Sequence, residues 1–226
     1  MIKKLYRKLI NYDVEEKILL SYLNKYSDKG SVLDVGCGYG RMLKYLRANN
    51  INASGVEINP EIVASCRRDG LSCISVEEFG DLSLQQWDCI LMFHIIEHME
   101  PDKCFEFIDQ YLDFLKPGGV LVVATPLLTD YFFEDFDHIK PYLPLGIQMV
   151  FGESSAQVQF RSRNKIELLD LRYKKYFYRF IHQRFVYLPR FKLLMPFIYA
   201  LSALIFKFSF GVLGKKDGWI GVFRKI

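Results

Sequence analysis

The chain is predicted to be an α/β protein built on a largely parallel sheet, and three observations carry that expectation. A short apolar run at 31–35 empties into Gly36, Gly38 and Gly40 and then into helix formers, the pattern of a strand, a tight turn and a helix start. A second run, Ala53 to Glu57, ends in an acid and leads through Ile58 into Asn59-Pro60-Glu61. That tripeptide is helix-start chemistry: a capping side chain, a proline whose missing N–H costs nothing, and an acid in the first turn. Strand and helix patterns then alternate as far as residue 126, which implies parallel strands joined by right-handed crossovers.

Taken in order, Asp13–Lys25 has a capping-box start (Asp13, Glu16) and apolar residues at Val14, Ile18, Leu19, Tyr22 and Leu23, so it is expected to be an amphipathic helix. Strands are expected at about 31–35, 53–57, 71–76, 88–93 and 119–125, with helices at about 40–48, 60–68 and 102–116. The last helix carries Cys104, Phe105, Ile108, Tyr111, Leu112 and Leu115 on one face, between Pro101 and Pro117-Gly118-Gly119. Residues 156–161 and 218–224 have strand composition. Between them lies a stretch that is first basic and aromatic (Arg172, Lys174, Lys175, Tyr176, Phe177, Tyr178, Arg179, Phe180, Arg184) and then free of charge from Leu193 to Phe206. Fourteen residues fall short of the roughly 20 that a spanning helix needs. A buried lid or dimer surface, an interfacial membrane helix, or a span extended past Lys207 are the alternatives, and the basic flanks suit contact with anionic lipid.

At 226 residues, half of them hydrophobic, the chain can bury a sizeable core. Its net charge of +4 conceals a division: residues 1–159 hold 15 basic and 23 acidic side chains, residues 160–226 hold 15 and 3. An anionic partner is therefore expected for the C-terminal part. The five cysteines (Cys37, Cys66, Cys73, Cys89, Cys104) have no metal-ligand spacing and fall mostly in expected strands and helices, as reduced thiols in a reducing compartment do. The basic N-terminus lacks the apolar run of a secretion signal.

The glycine turn is spelled D-x-G-x-G-x-G from Asp34 to Gly40, with Arg41 where the last glycine of a dinucleotide loop would stand. It resembles motif I of the class I S-adenosylmethionine-dependent methyltransferases. Trp87–Phe93 resembles that family's fourth strand, Leu115-Lys-Pro-Gly-Gly followed by Val120–Pro126 its turn and fifth strand, and Glu97-His98-Met99 its small-molecule, glycan and quinone-type bacterial members. The resemblance implies a Rossmann-like seven-stranded, mostly parallel sheet of order 3-2-1-4-5-7-6 with strand 7 antiparallel, plus a helical insertion before the last strand. In that frame 1–226 is one domain: an N-terminal helical segment (1–30), a cofactor-binding core (31–163), a basic and apolar insertion (164–216) and the last strand (217–226).

The cofactor implied is S-adenosyl-L-methionine, with Asp34, Gly36, Cys37, Gly38 and Gly40 around it. Glu57, 17 residues beyond Gly40, is an acceptor-only group able to take both ribose hydroxyls, and a surface acid at a strand end is the plain alternative. Ile58 lies beside it, Glu77 after the third strand is either close to the adenine amine or a solvent-facing acid, and His94 is expected to line the donor pocket. His94, Glu97 and His98 also spell the H-x-x-E-H signature of inverted zinc peptidases. They follow a buried strand in methyltransferase order, so no metal is expected; His98 faces the cleft or is a satisfied structural histidine.

Asp137-His138-Ile-Lys140-Pro-Tyr142 resembles a segment of glycan- and quinone-type members. His138 is the candidate general base for an acceptor hydroxyl, imidazole being the side chain that exchanges protons near neutrality, with capping of its own loop as the structural alternative. His182 has no evident partner. The function expected is methylation of an oxygen on a glycan, glycan precursor or lipid-linked small molecule. A quinone precursor is the alternative acceptor, and a non-catalytic cofactor-binding or membrane-docking protein the alternative class. The partners implied are that acceptor and a peripheral membrane contact through 187–213, with nucleic acid disfavoured because the insertion is too apolar. The setting implied is the cytoplasm or the inner face of its membrane.

Overall fold

Continuous burial explains the centre of the sheet. In the computed structural model, which describes residues 14–27, 30–81, 86–153, 159–180, 183–191 and 193–226, all four residues of β1 (Val32–Val35) are buried. β4 (Trp87–Phe93) is buried along nearly its whole length, as a strand covered on both faces must be. β2 (Ala53–Glu57) and β3 (Cys73–Ser75) flank β1 on one side; β5 (Leu115–Pro126), β7 (Lys215–Lys225) and β6 (Ile166–Tyr176) continue beyond β4. The order is β3-β2-β1-β4-β5-β7-β6. β7 alone runs against its neighbours β5 and β6, and the other pairings are parallel.

Alternate side chains of these strands feed two cores. Leu33, Val35, Ile90, Met92, Leu121 and Val123 pack with α5 (Pro101–Asp113) and with Phe79 of α4 (Val76–Asp81). Val32, Cys89, Leu91, Val120 and Val122 pack with α1 (Val14–Tyr26) and α2 (Arg41–Ala48). The α1 contact is fixed at the far edge by Tyr22, whose hydroxyl donates to the Ile220 carbonyl at 3.2 Å. α3 (Pro60–Arg68) starts as expected, with the Asn59 side chain accepting from the Glu61 amide. α6 (Pro144–Phe151), not foreseen, closes the first core beside β6.

Three expectations are corrected. The sixth strand is Ile166–Tyr176, not 156–161. Of that earlier stretch, 159–161 is irregular and the rest lies outside the described residues. The basic residues Arg172, Lys174 and Lys175 therefore belong to an edge strand, where charge blocks further pairing, and the segment between the last two strands shrinks to 177–214. The third correction is β5, which begins at Leu115 and takes in the Lys-Pro-Gly-Gly turn, Gly118 adopting φ +76°. Residues 1–13 and His182 lie outside the described residues.

Within 177–214, α7 (Met195–Phe208) docks by Ala203 and Phe206 against Phe177. Its Phe197, Leu201, Ile205 and Phe208 are exposed, as are Leu193, Phe210, Val212 and Leu213 around it. Among the described residues no helix is long and apolar enough to cross a membrane.

Candidate active site

The glycine turn sits at the carboxyl end of β1, where ligands of open parallel sheets bind. Gly36 adopts φ +69° and Gly38 φ +51°. A Cβ on Gly38 would project into open space, and one on Gly36 would strike Ile95 at 2.5 Å. The turn is held from beneath: the Gly36 and Cys37 amides both donate to the Val56 carbonyl, at 2.9 and 3.1 Å. Glu57, almost fully buried, accepts from the Gly38 amide at 2.9 Å and from the Asn59 amide at 3.0 Å. One carboxylate thus ties the turn to the second strand and keeps a lone pair on each oxygen for a ligand.

Beside Gly36 and Glu57 opens a mainly apolar cavity of about 590 Å³, lined among others by Val56, Ile58, Val76, Phe79 and His94. Ile58 lies on its wall. Glu77 is exposed in the first turn of α4, the solvent-facing alternative, while Val76 and Phe79 face the cavity. Asp34 and Cys37 are buried under the turn. Burial pushes the Asp34 carboxyl up to about 7, the Arg41 charge opposing and the Glu57 charge adding. Cys37 turns its sulfur into the core at 3.6 Å from Cys73, and burial pushes its thiol upward. Cys66 joins them, its S–H donating to the Gly38 carbonyl, a grouping of three thiols that sequence spacing concealed. Gly40, at φ +71°, caps α2.

A second, polar cavity of about 330 Å³ lies at the ends of β4 and β5 and shares His94 with the first. His94 has left-handed φ, +55°, and is bracketed by Glu15 at 2.7 Å and Glu97 at 3.2 Å. Burial opposes its charge, but the bonds to Glu15 and Glu97 and the Glu15 charge prevail and raise it to about 9. Glu15 also takes Lys174 at 2.6 Å and shares Arg41 with Glu16. Glu97 is fully buried, accepts from Thr125 Oγ1 at 3.0 Å, and its carbonyl receives the Ile139 amide. His98 and His138 come together with ring centroids 4.8 Å apart. Both Nδ1 atoms sit on main-chain carbonyls, His138 on Phe132 at 2.6 Å and His98 on Asp137 at 3.2 Å.

Glu15, Lys174, Arg179 and Asp217 complete this polar region, and sequence reasoning gave them no role there. Lys174 and Arg179 carried only the signal of the basic stretch, and Asp217 that of one of three acids in a strongly basic C-terminal part. Among the described residues the buried Asp217 Oδ1 and Arg179 Nε have no hydrogen-bond partner, and both residues line the cavity.

A glycine turn, an acid on the second strand and a nucleoside-sized apolar cavity at the carboxyl ends of a 3-2-1-4-5-7-6 sheet define the class I S-adenosylmethionine-dependent methyltransferase fold. The family model described as "Methyltransferase domain" matches residues 6–186, and the chain belongs to that family. A SAM-dependent methyltransferase from Archaeoglobus fulgidus superposes with a TM-score of 0.60 over 99% of both chains at 18% identity, a likeness of fold. A ubiquinone biosynthesis O-methyltransferase from Xylella fastidiosa is 31% identical over 118 residues, 48% of this chain and 47% of the relative. A cyclopropane-fatty-acyl-phospholipid synthase from Escherichia coli is 34% identical over 101 residues, 42% of this chain and 25% of the relative. The match thus spans about half the length of the first relative and a quarter of the second. The class uses S-adenosylmethionine, and the open side of Gly38, the free lone pairs of Glu57 and the apolar cavity beside them fit it.

Proposed function

We propose that the chain is an S-adenosylmethionine-dependent methyltransferase acting on an oxygen of a hydroxyl-rich acceptor, a glycan or glycan precursor carried on a lipid. The observation that carries this reading is the meeting of an apolar and a polar cavity at His94. Bound S-adenosylmethionine supplies a methyl group on a positively charged sulfur, already a strong electrophile. The chain's task is then alignment and exclusion of water. Glu57 takes the ribose hydroxyls, Val56, Val76 and Phe79 cover the adenine, and Gly36 and Gly38 let the backbone approach. Asp34, beneath the turn, offers its carboxyl toward the ammonium end.

In the polar cavity, Asp217 Oδ1 and Arg179 Nε await partners that hydroxyl groups can supply. His98 and His138 handle the acceptor's hydroxyl proton. A quinone precursor is the second reading, favoured by the ubiquinone relative, but the polar lining suits a polyol better than an aromatic ring. The outward face of α7 and the positive charge of the C-terminal part support contact with an anionic membrane that carries the substrate.

Calorimetry with S-adenosylmethionine tests the first step: wild-type protein binds it, and Glu57→Ala binds at least about tenfold more weakly, since hydrogen bonds to a charged group contribute about 1.5–3 kcal/mol each. Methyl label from the donor is then followed into a lipid-linked sugar fraction and a phenolic quinone precursor. Absence of donor binding by the wild type ends the reading; label in the phenol alone replaces the glycan by the quinone acceptor.

A further inference from the structure

We propose that Cys37, Cys66 and Cys73 bind one divalent, thiol-seeking ion of the zinc type beneath the glycine turn, with the Gly38 carbonyl oxygen as fourth donor, and that the ion stiffens the turn that receives the methyl donor. Each of the three sulfurs lies within 4.8 Å of the other two, and those of Cys37 and Cys73 are 3.6 Å apart. The Gly38 carbonyl oxygen is 3.2 Å from the Cys66 sulfur and 3.7 Å from that of Cys37. Around a tetrahedral zinc ion, with sulfur at about 2.3 Å and oxygen at about 2.0–2.2 Å, neighbouring donors stand about 3.5–3.8 Å apart. The four donors are therefore close to that arrangement before any ion enters.

The fold makes room for this meeting. Cys37 comes from the turn after β1, Cys66 from α3 and Cys73 from β3, and β2 runs between the two strands. Cys37 reaches across β2 at Gly55, the residue paired with Cys73. A Cβ on Gly55 would strike the Cys37 sulfur at 2.5 Å, and a glycine inside a strand marks such a close approach. Leu43, Val63 and Leu71 enclose the sulfurs in an apolar shell. Cys37 is the least buried of the three, in a turn whose side at Gly38 is open, so an ion has a way in.

Charge selects the ion. A divalent ion on three thiolates leaves one buried negative charge and a monovalent ion leaves two, each costly where water is excluded. The negative charges of Asp34 on Cys37 and of Glu57 on Cys73 oppose bare thiolates and attract a cation. As each sulfur–metal bond forms, the S–H bond breaks and its proton leaves to solvent. No electron is gained or lost.

Gly38 couples this site to the donor. Its carbonyl faces the sulfurs while its amide donates to Glu57, so an ion on the carbonyl fixes the peptide that orients the acid assigned above to the ribose. The ion site stands apart from that assignment; its effect on donor binding rests on it.

Metal-stripped, reduced full-length protein is titrated with Co²⁺ and read by sulfur-to-cobalt charge-transfer absorption, which nitrogen and oxygen ligands do not give. One ion per chain is expected, displaced by one equivalent of Zn²⁺. Cys66→Ser and Cys73→Ser should each bind at least about tenfold more weakly, the loss that removal of even an outer partner brings, while Cys104→Ala, in the other core, is unchanged. X-ray absorption at the zinc edge needs no variant: the wild type should show three sulfur neighbours at about 2.3 Å. Absence of the sulfur–cobalt band, a zinc shell of nitrogen and oxygen alone, or undiminished binding by both serine variants overturns the site and leaves three packed thiols. The ion-loaded protein should bind S-adenosylmethionine at least about fivefold more tightly than the stripped protein; equal affinities overturn the coupling. If the sulfur–cobalt band appears but neither form binds the donor, the functional reading falls and the ion site stands.

Discussion

His94 shows how one residue joins two cavities. Its left-handed backbone turns the chain out of β4, and its amide donates to the Ala124 carbonyl at 2.8 Å, so the bend is tied to the neighbouring strand. Histidine tolerates this region better than most side chains, and such conformations gather at functional positions. The ring is then caught between Glu15 and Glu97. Replacing Glu15 by Gln removes the charge that does most to hold the imidazole protonated, so its pKa should fall from about 9 toward the ordinary 6.5. A pH titration of the His94 ring signals by NMR reads this directly, and an unchanged midpoint would rule out Glu15 as the cause. The pairing was hidden in the sequence because Glu15 precedes its partner by 79 residues and reads locally as a helix-start acid.

At the level of elements, the parallel half of the sheet was legible because its central strands are short buried runs bounded by turn residues. β6 was not, since an edge strand exposed to solvent carries charges (Glu167, Asp170, Arg172, Lys174, Lys175) that hide its period. α7 was legible as an apolar stretch, but only its packing shows which side is free. Phe206 and Ala203 face inward, and Phe197, Leu201, Ile205 and Phe208 form an outward row at helical spacing. With Arg190, Lys207 and the positive C-terminal part nearby, that row is suited to lie in an anionic lipid surface. Phosphatidylglycerol vesicles should float the wild type. Flotation should drop at least about tenfold in a Phe197→Ser, Leu201→Ser, Phe208→Ser variant, because each large apolar side chain contributes about 1.5–3 kcal/mol when fully buried. Equal flotation of the two proteins, or of one lacking 187–213, would reject the membrane contact.

Across the whole molecule, the site's charges set how stability follows pH. Asp34 has a folded pKa near 7 against an ordinary 3.8, chiefly because it is buried. Between those values the folded state keeps a proton that the unfolded state has lost, so stability falls as pH rises through this window. His94, raised from 6.5 to about 9, has the same sign: its contribution is complete below pH 6.5 and is lost as pH climbs through 9. Glu15 acts oppositely. Burial resists its ionisation, but His94 and Lys174 hold its carboxyl well below the usual range, and that contribution is lost in acid. The apo-protein should therefore be most stable in mildly acidic solution, with Tm declining toward pH 9. Asp34→Asn removes the first window, so its Tm should gain on the wild type as pH rises from 5 to 8. Moving the carboxyl from 3.8 to about 7 corresponds to a few kcal/mol, at about 1.4 kcal/mol per tenfold change in proton affinity. S-adenosylmethionine, bringing its ammonium toward Asp34, should restore the ionised carboxyl and stabilise the wild type more at pH 8 than at pH 5, relative to Asp34→Asn. Thermal melts of both proteins, with and without the donor, decide it. Parallel pH profiles in the absence of donor would mean that Asp34 ionises normally beneath the glycine turn.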